Sequence, residues 1–391
     1  MHLGKYSEDA IANASFALVS DTNTSGEPWV PAFEAAFSGY VGAKFGIAVN
    51  SATSGLHAAL LAAGVGPSDE VISPGLTVVM DAYATLFCGA TPIFADVDPS
   101  TWNITAATIE PLITEKTKVI LTVSWFGHPV DHEAIYALAH KYGLIWIDDS
   151  AETIIPISRR DSGWGLPDMR VFSFESKKHF STGGEGGMVT TDDPELATMV
   201  RKRAGIGYLH LGPDRGRTHL AARDFQNPEY RRFDTVGYNY RMTPVSAAIG
   251  AGQLQSIDEF LDTRREVANL FLHAIQGFDS MTPQNTHSSH SYYTFGVEYF
   301  PDRASGISWQ SFYDKFTSAG GDGFYANCLN PYLEPSLKGR KISNQTLSTG
   351  LCPIAEGLQT RVMAFKTNYL NLEVAKKNAN LLHAVLEEIE N

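Results

Sequence analysis

Cysteine is scarce in this sequence. Its 391 residues include three cysteines, Cys88, Cys328 and Cys352, at wide spacing. An odd, scattered set provides neither a disulfide framework nor the paired ligands of a zinc site, so we predict no metal centre. Such cysteine usage is typical of a protein from a reducing compartment.

The sequence also lacks long apolar runs and an excess of positive charge. No segment approaches the roughly 20 apolar residues that a membrane helix needs. The N-terminus carries Glu8, Asp9 and Asn13 where a secretory signal would be apolar. The formal net charge is −13, whereas a nucleic-acid-binding surface needs a basic face. We therefore expect a cytoplasmic protein that binds neither membranes nor nucleic acid.

What the sequence does contain is an alternation of short apolar runs and amphipathic segments between about residues 45 and 190. The predicted strands are Phe45–Val49, Glu70–Ser73, Pro92–Ala95, Val119–Val123, Leu144–Ile147, Arg170–Phe174 and Gly187–Thr190. The predicted helices are Ser54–Ala63, Thr77–Cys88, His132–Lys141 and Pro194–Arg203. This order predicts an α/β domain with a mostly parallel seven-stranded sheet covered on both faces. Ligands of such sheets bind beyond the carboxyl ends of the strands.

The C-terminal part has a different pattern. A helix-patterned stretch from about Thr243 to Asn269 is predicted to close the large domain. It is followed by a predicted strand at Ser291–Tyr299 and predicted helices at Trp309–Ser318 and Leu372–Ile389. This pattern indicates a smaller α+β domain.

These patterns predict two domains, a large one at residues 1–265 and a small one at residues 266–391. We expect the segment 1–30 to pack against the small domain or a partner subunit. The segment Gly205–Asp234 has little periodicity, and a loop of that length is more often functional than idle.

Two polar motifs follow predicted strands. Asn50–Gly55 reads Asn-Ser-Ala-Thr-Ser-Gly, and small hydroxylated residues at a helix N-terminus favour an anion such as phosphate. A simple helix cap by Thr53 or Ser54 is the alternative. Asp148 and Asp149 follow the predicted buried strand Leu144–Ile147, where carboxylates need a partner. That partner is either the pyridine nitrogen of pyridoxal phosphate (PLP), a magnesium ion or a helix N-terminus.

Two further motifs lie downstream. Lys177 and Lys178 follow a strand and precede the turn Gly183–Gly187, which contains four glycines. Lysine forms Schiff bases with aldehydes, although a solvated lysine pair would give the same pattern. The glycines disfavour that alternative, because their entropic cost implies close backbone contacts. The segment Gly237–Met242 offers Asn239 and Arg241 to a phosphate or substrate, or it is a turn before a helix.

Taken in this order, the motifs resemble the DegT/DnrJ/StrS family of PLP-dependent sugar aminotransferases, which have the aspartate-aminotransferase fold (fold type I). The matching blocks are Trp29–Phe33, Asn50–Leu60, Gly64–Ile72, Pro92–Asp98, Val123–Gly127, Ile147–Glu152, Phe172–Gly187 and Gly237–Met242. The resemblance covers nearly the whole chain.

The resemblance implies a role for each matching residue. Lys178 matches the Schiff-base lysine, and Asp149 matches the acid that pairs with the pyridine nitrogen. Three hydroxyl residues match positions that hold the cofactor phosphate: Thr53, Ser54 and Ser173. Asn239 matches a residue that reaches the phosphate of the neighbouring subunit, which implies a homodimer with shared sites. Glu152 lies where the family often has Gln or His beside the ring oxygen.

The chain departs from the family pattern at three points. Ala52 replaces a usual glycine in the phosphate loop, and Val78 replaces an aromatic residue that often stacks on the pyridine ring. One extra glycine between Lys178 and Glu185 leaves Lys177 as an alternative anchor.

The reaction implied by the resemblance is amino transfer from glutamate to a keto group of a nucleotide-linked 4-keto-6-deoxy sugar, through a Lys178 aldimine and pyridoxamine phosphate. Tyr240, Arg241 and His290 are candidate substrate contacts. Further candidate partners of the diphosphate are Arg231, Arg232 and the Arg215–Arg217 loop. Two alternatives are a PLP-dependent sugar dehydratase, whose relatives carry histidine in place of the lysine (His179 is adjacent here), and amino transfer to a cyclitol or other cyclic ketone.

Overall fold

The alternating segments form one seven-stranded sheet with helices on both faces. A computed structural model describes residues 5–20, 29–156, 166–214, 226–342 and 345–390. The strands of this sheet are β1 (Phe45–Val49), β2 (Glu70–Pro74), β3 (Thr91–Ala95), β4 (Thr117–Val123), β5 (Ile145–Asp149), β6 (Met169–Ser173) and β7 (Gly187–Thr191). Described helices of this part are Glu8–Val19, Trp29–Val41, Ala52–Ala62, Met80–Phe87, Ala106–Ile109, His132–Tyr142, Pro194–Ala204 and Pro244–Leu254.

The strand order is β1-β7-β6-β5-β4-β2-β3. Strand β7 runs antiparallel to both its neighbours, and the remaining pairs are parallel. Every residue of β2, β6 and β7 is buried, as expected for strands covered by helices on both faces. The predicted mixed, mostly parallel seven-stranded sheet is confirmed.

A four-stranded antiparallel sheet forms the C-terminal layer. Its order is β10-β13-β9-β8, and the short strands β11 and β12 form a separate hairpin. The strands are β8 (Met281–Pro283), β9 (Thr294–Tyr299), β10 (Tyr325–Ala326), β11 (Lys341–Ile342), β12 (Gln345–Thr346) and β13 (Val362–Lys366). The helices of this part are Ile257–Ile275, Trp309–Ser318, Pro353–Gln359 and Leu372–Glu390. The four-stranded sheet and the helices beside it enclose an aromatic core that includes Phe271, Phe295, Phe312, Phe316 and Phe365.

The bounds of a helix, of a domain and of a strand differ from the sequence-based prediction. The stretch Thr243–Asn269 is two helices, because the chain turns at Gln255 and Ser256 and Ser256 N–H bonds back to the carbonyl of Gln253. The second helix, Ile257–Ile275, belongs to both cores and runs through the proposed domain boundary at residue 265. The strand predicted from Ser291 begins at Thr294, because Ser291 instead bonds to the carbonyl of Gly127.

The N-terminal segment packs elsewhere in the chain than expected. Helix Glu8–Val19 lies on helix Pro244–Leu254, and Ser7 N–H donates to Gln253 Oε1 at 2.7 Å. A Cβ on Gly252 would lie 2.4 Å from the backbone nitrogen of Ala10, so a glycine permits this close crossing. Its described residues thus pack on a helix that closes the large domain, and the other alternative, a contact with a partner subunit, stays a prediction.

The described helices include none that combines the length and apolar character needed to cross a membrane.

Candidate active site

The candidate site lies at the carboxyl ends of β4, β5 and β6. Asp149 ends β5, where it is in register with Val123 of β4 and Val171 of β6. Ser173 ends β6 and is paired with Gly187 of β7. The parallel strands therefore bring the acid and the hydroxyl to one edge, as the topology rule predicts.

The two adjacent lysines face different surroundings. Lys178 Nζ lies 3.4 Å from Glu152 Oε1 and 4.3 Å from the ring centroid of Tyr293, and its side chain is 15% exposed. Lys177 is exposed, and its Nζ lies 5.9 Å from the ring of Tyr325. The structure thus brings Lys178, and not Lys177, to the acids at the strand ends.

The loop geometry explains this difference. Phe174 N–H bonds to Gly186 O at 2.9 Å, and Lys178 N–H bonds to Glu175 O at 3.0 Å. These bonds close a turn between β6 and β7 in which the Lys178 side chain is half-buried and that of Lys177 is exposed. Burial by itself lowers the pKa of Lys178, but the charge of Glu152, with Tyr293 and Asp149 nearby, outweighs burial and raises the pKa. The ion pair with Glu152 thus favours the protonated amine.

Asp149 is a buried carboxyl with few donors. Its Oδ1 accepts the N–H of Ala151 at 2.8 Å, and the residue is 4% exposed. Burial raises the pKa of Asp149 to about 6, although the bond from Ala151 and the charge of Lys178 lower it. Such a carboxyl gains from a cationic partner.

Its neighbour Asp148 is held differently. Asp148 accepts the hydroxyls of Thr122, at 2.7 Å, and of Ser150. The alternation of a β-strand points the two adjacent acids to opposite faces. Asp148 therefore stabilises the junction of β4 and β5, whereas Asp149 is available to a ligand. Among the described residues no cluster of His, Cys, Asp and Glu is arranged to hold a metal ion.

The motif Asn50–Gly55 forms the N-terminus of helix Ala52–Ala62. The helix cap is Ser51, whose Oγ accepts Ser54 N–H at 3.2 Å, so the expected caps Thr53 and Ser54 are corrected. Ser54 Oγ donates to Asn50 Oδ1 at 2.5 Å. Ala52 and Thr53 are half-buried in the first turn, where backbone N–H groups favour an anion.

Gly187 lets this helix N-terminus approach the sheet. A Cβ built on Gly187 would lie 2.7 Å from the carbonyl carbon of Ser51 and 2.8 Å from the nitrogen of Ala52. Because Gly187 is paired with Ser173, the Ser173 hydroxyl and the helix N-terminus are close neighbours. The predicted phosphate-binding residues are thus brought together.

The segment Gly237–Met242 lies beside the same loop. Asn50 N–H donates to Tyr240 O at 2.8 Å, and Val49 forms a β-bridge with Arg241. The Tyr240 hydroxyl is 2.9 Å from His57 Nδ1. Asn239 is exposed on the surface of the chain. Tyr240 and Arg241 are therefore adjacent to the phosphate loop, whereas Asn239 points outward.

The remaining candidates are more scattered. Val78 is half-buried between β2 and helix Met80–Phe87, where it packs on the main core. Arg231 is exposed, Arg232 is half-buried, and the Arg215–Arg217 loop lies outside the described residues. His290 is 2% exposed, and its ring stacks on Tyr292 at 3.8 Å. This packing gives no support to the predicted substrate contact of His290.

Three residues of the site were missed from the sequence: Tyr293, Asp81 and Arg264. Arg264 is buried and donates to Tyr293 O at 2.9 Å, to Thr367 Oγ1 at 2.8 Å and to Lys178 O at 3.0 Å. It therefore ties the lysine loop to the C-terminal layer. The available signal was an arginine on the apolar stripe of its helix, three residues after Leu261.

Comparisons with known proteins agree with this geometry. The family model of the DegT/DnrJ/EryC1/StrS aminotransferase family matches residues 5–312. The GDP-perosamine synthase of Caulobacter vibrioides is 41% identical over 239 residues, which span 61% of this chain and 60% of that protein. The spore coat polysaccharide biosynthesis protein SpsC of Bacillus subtilis is 35% identical over 279 residues, 70% of each chain.

Solved structures of aminotransferases share this fold. The crystal structure of an aminotransferase from Psychrobacter cryohalolentis superimposes with a TM-score of 0.86 at 26% identity, over 99% of this chain and 98% of that one. Fold and site define a fold type I, PLP-dependent aminotransferase. The chain belongs to the DegT/DnrJ/EryC1/StrS aminotransferase family.

The residues at the site fit pyridoxal 5'-phosphate. The Lys178 amine can react with the aldehyde, and the buried Asp149 carboxyl can pair with the protonated pyridine nitrogen. The N-terminus of helix Ala52–Ala62 and the Ser173 hydroxyl can receive the phosphate. When bound, the cofactor supplies an electron sink for the carbanion that forms at the amino donor.

Proposed function

We propose that this aminotransferase moves an amino group from glutamate to the keto carbon of a nucleotide-linked 4-keto-6-deoxy sugar, with Lys178 as the covalent anchor of PLP. The placement of Lys178 carries the proposal, since its amine lies among acids at the strand ends whereas Lys177 is exposed. The similarity to GDP-perosamine synthases of Caulobacter vibrioides and of Escherichia coli O157:H7, 35% identical over 269 residues, supports a GDP-linked sugar.

Lys178 has two tasks in this proposal. It holds the cofactor between turnovers, and after an amino donor has replaced it, the free amine moves a proton as general base and acid. Glu152 Oε1, at 3.4 Å, keeps the amine at the site, and Glu152 Oε2 is fixed by the N–H of Phe126 at 3.0 Å. Asp149 holds the proton on the pyridine nitrogen. Tyr240 and Arg241 line the side of the phosphate loop from which the sugar would enter.

We also propose a homodimer with shared sites. Asn239 is exposed beside the phosphate loop of its own chain, as suits a residue that reaches across to a partner. Apolar side chains nearby are also exposed, with Phe233 at 54% and Val236 at 79%. Burial of these residues against a second copy would remove apolar surface from water.

The dehydratase alternative is not supported. It would place a histidine at the acid-lined position, but the ring of His179 is buried on the other side of the loop, with Nε2 3.3 Å from Ser291 O. Glutamate alone tests this point. Amino transfer predicts loss of the absorbance of the lysine-bound cofactor together with release of oxoglutarate, and persistence of that absorbance without oxoglutarate would contradict glutamate-driven amino transfer.

The anchor is tested by borohydride reduction of the loaded enzyme, followed by peptide mapping. We expect the pyridoxyl group on Lys178 in the wild type and in Lys177→Ala, and no labelled peptide in Lys178→Ala. Label on Lys177 would overturn the assignment. A screen of keto nucleotide-sugars with glutamate, read by mass spectrometry, tests the acceptor. The proposal expects amination of a GDP-linked 4-keto-6-deoxy sugar, and exclusive amination of a cyclitol ketone would contradict it.

A further inference from the structure

The main chain of Tyr240 links two parts of the large domain. Its N–H donates to the carbonyl of Ala204 at 2.8 Å, and its carbonyl accepts the N–H of Asn50 at 2.8 Å. Ala204 ends the helix Pro194–Ala204, and Asn50 opens the motif Asn50–Gly55, which receives the phosphate in the proposed function. Tyr240 therefore fixes the first residue of the phosphate loop to a rigid helix.

The side chain of Tyr240 contacts the same part of the chain at a second point. Its hydroxyl lies 2.9 Å from Nδ1 of His57, in the middle of helix Ala52–Ala62. His57 is 3% exposed, and its ring centroid lies 4.8 Å from that of Tyr238 and 5.7 Å from that of Phe87. The other ring nitrogen, Nε2, has no hydrogen-bond partner among the described residues. The hydrogen bonding of this buried imidazole therefore depends on Tyr240.

The two contacts of Tyr240 lie on either side of the first helical turn. Asn50 precedes that turn, and His57 follows it on the same helix face as Thr53, because the two residues are four positions apart. Within the loop, the Ser54 hydroxyl donates to Asn50 Oδ1 at 2.5 Å. The backbone N–H groups that favour an anion lie between these points. A shift of the turn relative to Tyr240 would stretch the bond at Asn50 or the bond at His57.

We propose that Tyr240 and His57 are positioning residues that hold the N-terminus of helix Ala52–Ala62 in the geometry that binds the cofactor phosphate. A loop that is fixed before its ligand arrives binds more tightly, because less ordering entropy is lost on binding. In this scheme Tyr240 acts through Asn50 and His57 and touches neither the phosphate nor the pyridine ring. The inference rests on the proposed placement of the phosphate at this helix.

The surroundings of His57 suit a neutral hydrogen-bonding group. Burial lowers the pKa of His57, and the charge of Arg203 lowers it further. A neutral imidazole has one donor and one acceptor nitrogen, and a phenol hydroxyl can take either role, so both tautomers permit the bond. The Tyr240 ring stacks on Tyr238, with 5.2 Å between the centroids and 8° between the ring planes. This stacking holds the hydroxyl at His57.

The affinity for PLP, divided by the affinity for pyridoxal, tests the proposal in the cofactor-free protein. Both aldehydes react with the same lysine and only PLP has a phosphate, so this ratio isolates the contribution of the phosphate site. Tyr240→Phe removes one oxygen and keeps the ring and the main-chain bonds. We expect it to lower the ratio about tenfold, the equivalent of one hydrogen bond. An unchanged ratio would refute the positioning role.

The matched control is Tyr238→Phe. It removes the same atom from the stacked neighbour, whose hydroxyl forms no hydrogen bond with the described part of the chain. We expect the ratio to stay within about twofold of wild type. A tenfold loss in this control as well would mean that the bond to His57 is not what sets the phosphate affinity.

Two substitutions of His57 separate the hydrogen bond from the volume of the ring. Asparagine carries its amide atoms as many bonds from Cβ as Nδ1 and can bond to the Tyr240 hydroxyl, whereas leucine cannot. We expect His57→Leu to lower the ratio about tenfold and His57→Asn to keep it within about threefold of wild type. Equal losses in the two variants would overturn the proposal. A general loss of stability would weaken PLP and pyridoxal alike and would leave the ratio unchanged.

The wild-type ratio distinguishes this inference from the function on which it rests. If the wild type bound pyridoxal as tightly as PLP, the phosphate site and the positioning role would both be wrong. A wild-type preference for PLP that Tyr240→Phe retained would overturn the positioning role alone. No amino donor or acceptor is used, so a failed acceptor screen would leave these results standing.

Discussion

Gly187→Ala would test whether the phosphate loop depends on one missing side chain. The added Cβ would lie 2.7 Å from Ser51 C, 2.8 Å from Ala52 N and 2.9 Å from Phe172 O. All three are backbone atoms, so no rotamer change can relieve the overlap. The helix N-terminus must move away from β7, or β7 must move away from β6.

The magnitude follows from this geometry. Overpacking by one methyl group in a close-packed region costs typically about 1–3 kcal/mol. We expect Gly187→Ala to lower the free energy of unfolding by about 2 kcal/mol. If about 1.4 kcal/mol of strain falls on the loop at Ser51 and Ala52, the affinity for PLP drops about tenfold.

The assay is a urea titration of the cofactor-free protein together with a fluorescence titration of PLP. Gly66→Ala is the matched control, because nothing lies within 4 Å of a Cβ there and the backbone does not require glycine. That change should be neutral or stabilise the fold by up to about 1 kcal/mol. If Gly187→Ala matched this control in both assays, close contact at Gly187 would not shape the phosphate site.

Two further predictions concern buried cations. Arg264→Met removes four hydrogen bonds; the carbonyl of Lys178 loses its donor, whereas that of Tyr293 keeps the Thr367 hydroxyl. At about 1–3 kcal/mol per unsatisfied group, we expect urea titrations to show a loss of about 3 kcal/mol, and a loss below about 1 kcal/mol would contradict the tie between the lysine loop and the C-terminal layer. Glu34 and Arg201 form a buried ion pair at 2.9 Å, so Glu34→Gln should cost about 3–5 kcal/mol by leaving the guanidinium unpaired. The double variant Glu34→Gln/Arg201→Met should then be more stable than Glu34→Gln alone, and equal or lower stability would show that packing, not charge, dominates there.

Much of the sheet could be predicted because its signals are local. The apolar runs at Phe45–Val49 and Gly187–Thr190 lie within one residue of β1 and β7. Helix Trp309–Ser318 has the predicted bounds, since an apolar face and Ser308 as cap are visible in the sequence. Long-range contacts set the misplaced boundaries. The Gly127 carbonyl captures Ser291 and delays β9, and nothing near Ser291 in the sequence indicates that partner.

The residues of the candidate site also divide into those that local signals predicted and those that long-range contacts revealed. Lysine, acid and hydroxyls were predicted from motifs that follow strands, because parallel strands end at one edge whatever their loops do. Asp81 was missed because an acid in the first turn of a helix is ordinarily a favourable cap. Only its complete burial makes it unusual.

The sequence by itself therefore determined the fold class, the succession of strands and helices along the chain, the family and the kind of cofactor, since periodicity and motif order need no three-dimensional information. The tertiary structure alone decided which of the adjacent lysines faces Asp149 and Glu152, because these acids lie 29 and 26 positions before Lys178 in the chain. Charges placed together by folding, rather than residue types, determine where the protons of this site reside.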